Sequence, residues 1–376
     1  MNIIEKTRRY AFVEKYRKQI VSSYNKLPQK RELSREQERE IQAYWKKYYG
    51  HEIPLDWHRY FYARTGVYSP KYIPTGVYRG EIIYRLNQVK FGIAYSDKNM
   101  LDILVPNIRQ SHIYLKNRNG HFYYENEPVS KQEAAEKCAN LGVVLIKPSL
   151  ASHGKGVQIL KIENGVVEKT GQSVLNLLTE YQQDFLIQDL VRQHEGMSAL
   201  NPDSVNTLRV VTYRKDMDVY IMYAIARIGR KGKVIDNESA GGISVKVHDD
   251  GTLDKYAYGT PEEGLIERTD SDVKLEGYQL PSYDKVKDFV KRVHLYMPFQ
   301  SIIGWDVCVD ESGEPLLLEW NTNPELSQTA VGPALGDYTE EILQEAMNHP
   351  NTREYGDVCV SMRTVIKYIV NKILGR

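Results

Sequence analysis

The sequence of 376 residues has only three cysteines and no long apolar run. Cys138, Cys308 and Cys359 are far apart, odd in number and set in apolar stretches, so no disulfide or zinc framework is readable and we expect reduced core thiols. No run approaches the about 18–20 apolar residues that a membrane span needs, and the N-terminus lacks the apolar core of a signal peptide. We therefore expect a cytoplasmic protein without a membrane span.

An excess of charge of either sign is also absent. Fifty Lys and Arg residues face 49 Asp and Glu residues, and the net charge of +1 gives no general affinity for nucleic acid. The balance is uneven along the chain, because residues 1–31 contain nine Lys or Arg residues and two Glu residues. Such a segment is typical of a solvated helix face, and the alternative is a patch for peripheral contact with anionic lipid or an acidic partner.

The first 75 residues are predicted to form a helical N-terminal extension. Ser34 and Gln37 make a capping box, and Gly50 ends the helix that follows. Apolar and aromatic side chains recur on one face of this helix, at Ile41, Tyr44, Trp45 and Tyr48. We expect this stripe to pack against another lobe. Proline and glycine at residues 68–80 indicate a linker, and we assign residues 76–140 to a linking region.

The rest of the sequence predicts an α+β fold with two lobes. Residues 141–192 read as a small lobe with strands at 143–147 and 157–162, an amphipathic helix at 171–183 and a strand at 184–189. Residues 193–376 read as a large lobe with C-terminal helices. Its strands are predicted at 207–213, 218–228, 304–310 and 315–320, paired as two hairpins, with a helix at 281–297 between the hairpins.

Three oxygen-bearing side chains mark the second hairpin. Asp306 lies on one strand, and Glu319 and Asn321 lie at the end of its partner, where antiparallel pairing brings the three together. Two carboxylates and a carboxamide are hard ligands that suit Mg²⁺. Ordinary exposed acids are the alternative, but Glu319 follows the apolar run "PLLL", where an unpaired carboxylate costs several kcal/mol. We therefore predict a metal site.

A second candidate site is the stretch "VVLIKPSLASHGKGVQIL". Lys147 ends the first strand, and the loop 148–156 offers backbone N–H groups that can close over a phosphate. Gly154 and Gly156 permit close approach. The stretch matches neither G-x-x-x-x-G-K-[ST] nor G-x-G-x-x-G. The prediction of a phosphate site here therefore depends on the oxygen ligands downstream.

Arg209 and Arg227 each lie within an otherwise apolar strand. An unpaired guanidinium there is costly, so each is predicted to meet an anion. The anion is either a buried Asp or Glu, or the transferred phosphoryl group and the charge that develops at a reacting acyl centre.

The lysine-bearing strand, the small-residue loop, the segment "LIQDL" and the D…E-x-N hairpin, in this order, resemble the ATP-grasp superfamily. Within it, "SDKNMLDIL", "SVNTLRVVTYR" and "LLLEWNTNPEL" look most similar to the sugar-transfer-associated ATP-grasp proteins of cell-surface polysaccharide clusters, over roughly residues 35–330. The resemblance implies two α+β lobes that clamp ATP, with Mg²⁺ as cofactor.

The resemblance also implies residue roles. Lys98 and Lys147 match the two phosphate-binding lysines, and Asp306, Glu319 and Asn321 match the Mg²⁺ ligands. The lid loop is matched by Ser149, Ser152, His153, Gly154, Lys155 and Gly156, and the linker at the adenine edge by Gln188, Asp189 and Leu190. Amino-acid ligases of the superfamily often have an arginine two residues before the metal aspartate. This chain has Gly304 there, so the catalytic charge is expected from Arg209 or Arg227.

By the same resemblance, the expected activity is ATP-dependent carboxylate–amine ligation through an acyl phosphate. The expected partners are small-molecule carboxylate and amine substrates linked to sugars, for example a uronic acid amidated during capsule assembly. A small-molecule kinase on the same fold and a non-catalytic nucleotide-binding protein remain alternatives.

Overall fold

The computed structural model describes residues 3–151, 156–181, 184–233, 236, 241–348, 366 and 370. Cys359 and most of the predicted last helix lie outside these residues. The described α-helices are α1 (Ile3–Asn25), α2 (Arg35–Tyr49), α3 (Asp56–Thr65), α4 (Thr75–Val77), α5 (Ile83–Leu86), α6 (Val89–Tyr95), α7 (Leu101–Leu104), α8 (Lys131–Lys137), α9 (Val174–Glu180), α10 (Glu195–Ser198), α11 (Tyr283–His294), α12 (Gln328–Val331) and α13 (Thr339–Asn348). None of them is long and apolar enough to cross a membrane.

The first sheet, here called the small-lobe sheet, is antiparallel throughout, with strand order β3-β2-β1-β7-β4-β5-β6. Its strands are β1 (Ile113–Arg118), β2 (His121–Tyr124), β3 (Glu127–Val129), β4 (Gly142–Pro148), β5 (Gln158–Glu163), β6 (Val166–Val167) and β7 (Phe185–Asp189). Helices α8 and α9 cover one face, where Val144 and Ile146 of β4 are buried. Because side chains alternate along a strand, Lys147 points to the other face.

The second sheet, the large-lobe sheet, is also antiparallel, with strand order β11-β10-β9-β8-β12-β13. Its strands are β8 (Thr207–Lys215), β9 (Asp218–Ile228), β10 (Ile243–Val247), β11 (Leu253–Tyr258), β12 (Ile302–Val309) and β13 (Pro315–Asn321). Every residue of β12 is buried. Helix α11 packs on one face, and α2 and α13 belong to the core on the other. The two predicted hairpins are thus confirmed as β8–β9 and β12–β13.

Helix α2 forms as its sequence predicts. Ser34 caps it with the reciprocal bonds of a capping box, and Gly50 ends it in the left-handed region at φ 80°. Ile41 and Trp45 are fully buried, and they share a core with Tyr213 and other residues of the large-lobe sheet. The prediction that this stripe packs against another lobe is confirmed.

Strands β1–β3 were not predicted, and they pair within the small-lobe sheet although the sequence analysis assigns them to the linking region. The apolar alternation of β1 is hidden by Lys116 and Asn117, which are polar yet buried. The Lys116 ammonium forms an ion pair with Asp102 on α7 and donates a hydrogen bond of 2.6 Å to Asn126. These partners come from outside the strand, so no local pattern signals them. The domain boundaries themselves remain a prediction.

Candidate functional site

The predicted oxygen ligands lie together at one end of the β12–β13 hairpin. Asp306 is opposite Glu319, and Gly304 is opposite Asn321. The Nδ2 atom of Asn321 is 3.5 Å from Oδ2 of Asp306. Because Glu319 and Asn321 are two residues apart on one strand, their side chains point to the same face of the sheet.

Arg209 and Arg227 both contact Asp306. Of the two anions considered for them, a buried Asp or Glu is therefore the one that the structure shows. Arg209 on β8 is directly opposite Asp306 and binds both carboxylate oxygens, one of them through Nη2 at 2.7 Å. Nη1 of Arg227 lies 3.4 Å from Oδ2 of the same carboxylate. Burial alone would raise the pKa of Asp306, but the two guanidinium groups hold it down at about 2.

The structure explains the glycine at position 304. A Cβ atom built there would lie 2.7 Å from Cβ of Pro324 and 3.2 Å from Cδ of Arg209. The Arg209 side chain therefore occupies space beside Asp306 that a side chain at 304 would need. An arginine reaches this carboxylate from the neighbouring strand instead of from the same strand.

Of the two predicted phosphate-binding lysines, Lys98 contacts Glu319 and Lys147 is influenced by its charge. Lys98 lies in a 3-10 turn (Lys98–Met100) that is capped by Asp97, and its Nζ atom is 3.2 Å from Oε2 of Glu319. Burial lowers the pKa of Lys147 to about 8, with Glu319 opposing the shift and Lys98 adding to it. Lysines from two separate segments and the hairpin carboxylate thus share one electrostatic environment.

A cavity of about 200 Å³ lies at this junction, lined by Lys98, Ala151, Glu319 and Asn321 among others. The start of the predicted lid loop adjoins it. Ser149 is fully buried, and its hydroxyl has no hydrogen-bond partner among the residues that the structure describes. Lys98 ties the loop to its own turn, because its Nζ atom donates a hydrogen bond of 2.9 Å to the carbonyl of Ala151.

Of the other predicted lid residues, only Gly156 is described. It has φ 80°, and a Cβ atom there would lie 2.8 Å from Cγ of Pro148, so both the backbone conformation and the space favour glycine. Ser152, His153, Gly154 and Lys155 lie outside the described residues.

The predicted adenine-edge residues lie at the end of β7, which is flanked by β1 and β4. Gln188 is buried. Asp189 accepts a hydrogen bond of 2.7 Å from the Tyr114 hydroxyl, and this bond together with burial raises the pKa of Tyr114 to about 12. The backbone N–H of Asp189 also has an internal partner, because it donates a hydrogen bond of 2.9 Å to the carbonyl of His112. Leu190 follows the strand and is half-buried.

The sequence analysis missed Asp236. This buried carboxylate accepts hydrogen bonds from the backbone N–H of Thr207, at 3.2 Å, and from its hydroxyl. Burial raises the pKa of Asp236 to about 6, although Thr207 and Arg227 oppose the shift. Asp236 lies in a loop without a motif, and only the fold brings it beside the first residue of β8.

The donor set fits a hard cation. Glu319 and Asn321 line the cavity, and Asp306 is adjacent to both. Both oxygens of Asp306 accept from Arg209, and Nη1 of Arg227 and Nδ2 of Asn321 lie 3.4 Å and 3.5 Å from Oδ2, so a cation would share this carboxylate with those donors. Among the described residues, no group of three or more His, Cys, Asp or Glu side chains is arranged to hold a metal. A cation here would therefore need the Asn321 carboxamide or phosphate oxygens as further ligands.

A model of the family described as sugar-transfer associated ATP-grasp matches residues 79–344. The matched segment contains every candidate residue from Lys98 to Asn321. The resemblance predicted from the sequence motifs is therefore confirmed. No curated protein matches the chain.

Solved structures with a similar fold include D-alanyl-alanine synthetase A from Vibrio cholerae O1 biovar eltor, at 15% identity and a TM-score of 0.42, covering 68% of this chain and 64% of that one. N5-carboxyaminoimidazole ribonucleotide synthetase from Thermotoga maritima matches at 13% identity and a TM-score of 0.40, covering 75% of this chain and 58% of its own. L-amino acid ligase from Bacillus licheniformis matches at 10% identity and a TM-score of 0.37, covering 68% of this chain and 48% of its own. The chain thus spans less than two thirds of each of these proteins.

Proposed function

Because the chain belongs to the sugar-transfer associated ATP-grasp family, we propose that it is an ATP-dependent ligase that joins a carboxylate to an amine. The observation that carries this proposal is the ion pair of Lys98 with Glu319, beside Asp306 and Asn321, at a place where Lys147 is also under the influence of the Glu319 charge. A cavity lined by Lys98, Glu319 and Asn321, with a second lysine and a further carboxylate close by, offers the charges that a triphosphate with its counter-ion requires.

Each element of the site has a role in binding ATP. Lys98 and Lys147 neutralise phosphate oxygens, and the loop 148–156 covers them with backbone N–H groups. Segment 188–190 holds the adenine edge through its main chain. Binding of the phosphates also supplies Lys147 with the anionic partner that its partly buried position favours.

Glu319, Asn321 and Asp306 would hold Mg²⁺, which when bound neutralises phosphate charge. Arg209 and Arg227 fix the Asp306 carboxylate in its ionised form. Arg227 is the less buried of the two, with 15% of its side chain exposed against 6% for Arg209. We therefore assign to Arg227 the stabilisation of charge at the reacting acyl centre, and to Arg209 the positioning of Asp306.

The proposed reaction has two steps. A carboxylate oxygen attacks the γ-phosphorus of ATP; an O–P bond forms, and the bond to the β,γ-bridging oxygen breaks with its electron pair leaving on ADP. The amine then attacks the acyl carbon, a C–N bond forms, phosphate leaves and the amine loses one proton. The protein contributes orientation, charge neutralisation and exclusion of water.

We further propose that one substrate is a sugar or a sugar-linked molecule, with a uronic acid as the carboxylate, and that the reaction belongs to cytoplasmic assembly of capsule or another cell-surface polysaccharide. The description of the matched family supports a sugar-related substrate. Mass spectrometry of reactions with ATP, uronates and a panel of amines tests this assignment. An amide product supports it, whereas a phosphorylated sugar without an amide would identify a kinase.

The metal and nucleotide assignment has its own test, which needs no knowledge of the acceptor. We expect Mg²⁺ to raise the ADP affinity of the unaltered protein by about tenfold or more, because it removes phosphate repulsion of at least about 1.4 kcal/mol beside Glu319. In Glu319→Gln this gain should be lost. Without Mg²⁺ the same variant should bind ADP at least as tightly as the unaltered protein, since a negative charge is gone.

Isothermal titration of both proteins with ADP, with and without Mg²⁺, measures these affinities. Glu314→Gln is the matched control, because Glu314 lies on the same hairpin and its carboxylate forms a surface ion pair with Lys285. An unchanged Mg²⁺ effect in Glu319→Gln would remove Glu319 from the metal site.

A further inference from the structure

A second and larger cavity, of about 690 Å³, lies between the N-terminal helices and the large lobe. Helices α1 and α3 and the turn after α4 supply much of its wall, including Tyr16, Ser23, Trp57, Tyr60, Phe61 and Tyr78. The large lobe supplies residues 258–261 and 325–330. The volume is within the range of about 300–1,000 Å³ that is usual for small-molecule sites.

We propose that this cavity binds the carboxylate substrate, that this substrate is a carboxylated sugar, and that the N-terminal helices determine its selection. The inference rests on the proposed ligase function. It adds a location and a recognising element that the family match does not provide, because α1 and α3 precede the matched residues 79–344.

The cavity is connected to the candidate metal site through one of its lining residues. Arg227 lines the cavity, and its Nη1 atom lies 3.4 Å from Oδ2 of Asp306. The loop after β13 continues from Asn321 into the cavity wall. Tyr223 anchors that loop, because its hydroxyl donates a hydrogen bond of 2.6 Å to the carbonyl of Glu325 and accepts one of 3.2 Å from the N–H of Ser327.

Tyr78 provides a polar group that lacks a protein partner within the described part of the chain. Its side chain is 1% exposed and lines the cavity, and its hydroxyl makes no hydrogen bond there. A buried hydroxyl without a partner is unfavourable, so a ligand oxygen that accepts its hydrogen bond would remove a penalty. Burial raises the pKa of Tyr78 well above its usual range, which keeps the hydroxyl protonated as a donor.

The lining chemistry favours an anionic sugar. Six aromatic side chains give flat apolar faces that suit the C–H faces of a pyranose, while Ser23, Thr75 and Thr329 offer hydroxyl partners for its edges. Among the lining residues that the structure describes, Arg79 and Arg227 bring positive charge and one acid, Glu325, is present and exposed. A carboxylate is therefore favoured over an ammonium group, and the amine is expected to enter from elsewhere.

The test uses the full chain with ADP and Mg²⁺ and two probes, methyl β-D-glucuronide and methyl β-D-glucoside. The probes share the ring and differ by the carboxylate. In isothermal titration we expect the glucuronide to bind at least about tenfold more tightly than the glucoside, a difference of about 1.4 kcal/mol. Equal affinities, no binding of the glucuronide, or tighter binding of the non-sugar carboxylate hippurate would each overturn the proposal.

Variants assign the binding to this cavity. Ser23→Trp should place an indole in the cavity and obstruct glucuronide binding, and Tyr78→Phe should weaken that binding about tenfold through loss of one hydrogen bond. Ser22→Trp is the matched control, because Ser22 is exposed on the same helix and does not line the cavity. Unchanged glucuronide affinity in Ser23→Trp would place the sugar elsewhere.

The failure of this inference is distinguishable from failure of the proposed function. ADP affinity should be the same in Ser23→Trp, Tyr78→Phe and the unaltered protein, and thermal unfolding checks that each variant is folded. If the unaltered protein binds Mg²⁺ and ADP but fails the sugar test, the cavity assignment is wrong. If it binds no ADP, the ligase proposal fails first.

Discussion

The large-lobe sheet is covered on both faces, whereas the small-lobe sheet has helices on one face and leaves Val143 and Ile159 exposed on the other. The charged groups of the two sheets differ accordingly. In the large lobe, Arg209 and Asp306 are both buried and form an ion pair with each other. In the small lobe, Lys147 is partly exposed, and burial lowers its pKa to about 8 even with Glu319 nearby.

This difference shows how a protein can hold charge in two ways. A doubly covered sheet tolerates a charge only with its partner in place, because desolvation is otherwise uncompensated. A sheet with one open face can keep a cation whose partner arrives with the ligand. Removing one charge from each sheet should therefore change the free energy of unfolding in opposite directions.

The largest effect is expected from Arg209→Met. It leaves the buried Asp306 carboxylate without its bidentate partner, and we expect the free energy of unfolding to fall by about 3–5 kcal/mol, measured by urea denaturation. Lys215→Met on the same strand is the control, because Lys215 is exposed and forms a surface ion pair with Glu341. A loss no larger than that of the control would mean that the buried pair contributes no more than a surface pair.

Lys147→Met should have the opposite effect on stability. The lowered pKa means that the folded state disfavours the charged lysine, so its removal should raise the unfolding midpoint at pH 7. The same change should weaken ADP binding about ten- to a hundredfold, through loss of a charge-assisted phosphate contact. Lys161→Met on the adjacent β5 should do neither, since Lys161 pairs with Glu163 and Glu168 at the surface. A destabilised Lys147→Met would contradict the comparison.

The smallest effect is the pH dependence of the same lysine. The pKa of Lys147 in the folded protein is lowered to about 8, below that of the unfolded chain. The unfolded chain therefore takes up the proton first as pH falls, and the free energy of unfolding decreases as pH falls towards 8. Bound phosphates favour the charged form, and ADP binding at pH 8 should therefore take up about half a proton. Titrations in two buffers of different ionisation enthalpy measure this uptake. It should vanish in Lys147→Met; persistence there would assign the proton to another group.

Local patterns predicted the parts of the fold whose partners lie close in sequence. The capping box at Ser34 forms as expected, and the hairpin that carries Asp306 and Glu319 pairs them directly. The predicted helix at 281–297 is observed as the shorter α11. These elements depend on hydrogen bonds and periodicities that a short stretch of sequence contains.

Contacts between distant segments were not predictable in the same way. The sequence indicated that Arg209 and Arg227 each need an anion, but it did not indicate that both meet Asp306. Nothing local marked Asp236 as a neighbour of Thr207. Strand β1 was missed because Lys116 interrupts its apolar pattern and forms an ion pair with a residue on another element.

The amino-acid sequence by itself determined which chemical groups the protein offers: an oxygen-bearing hairpin, two lysines in separate segments and an aromatic N-terminal helix face. Only the tertiary structure decided that Lys98 meets Glu319, that Arg209 occupies the space beside Gly304, and that the N-terminal helices enclose a cavity next to Arg227. The reason is physical. Residue type and periodicity act over a few residues, whereas desolvation and charge pairing depend on which distant side chains share a low-dielectric space.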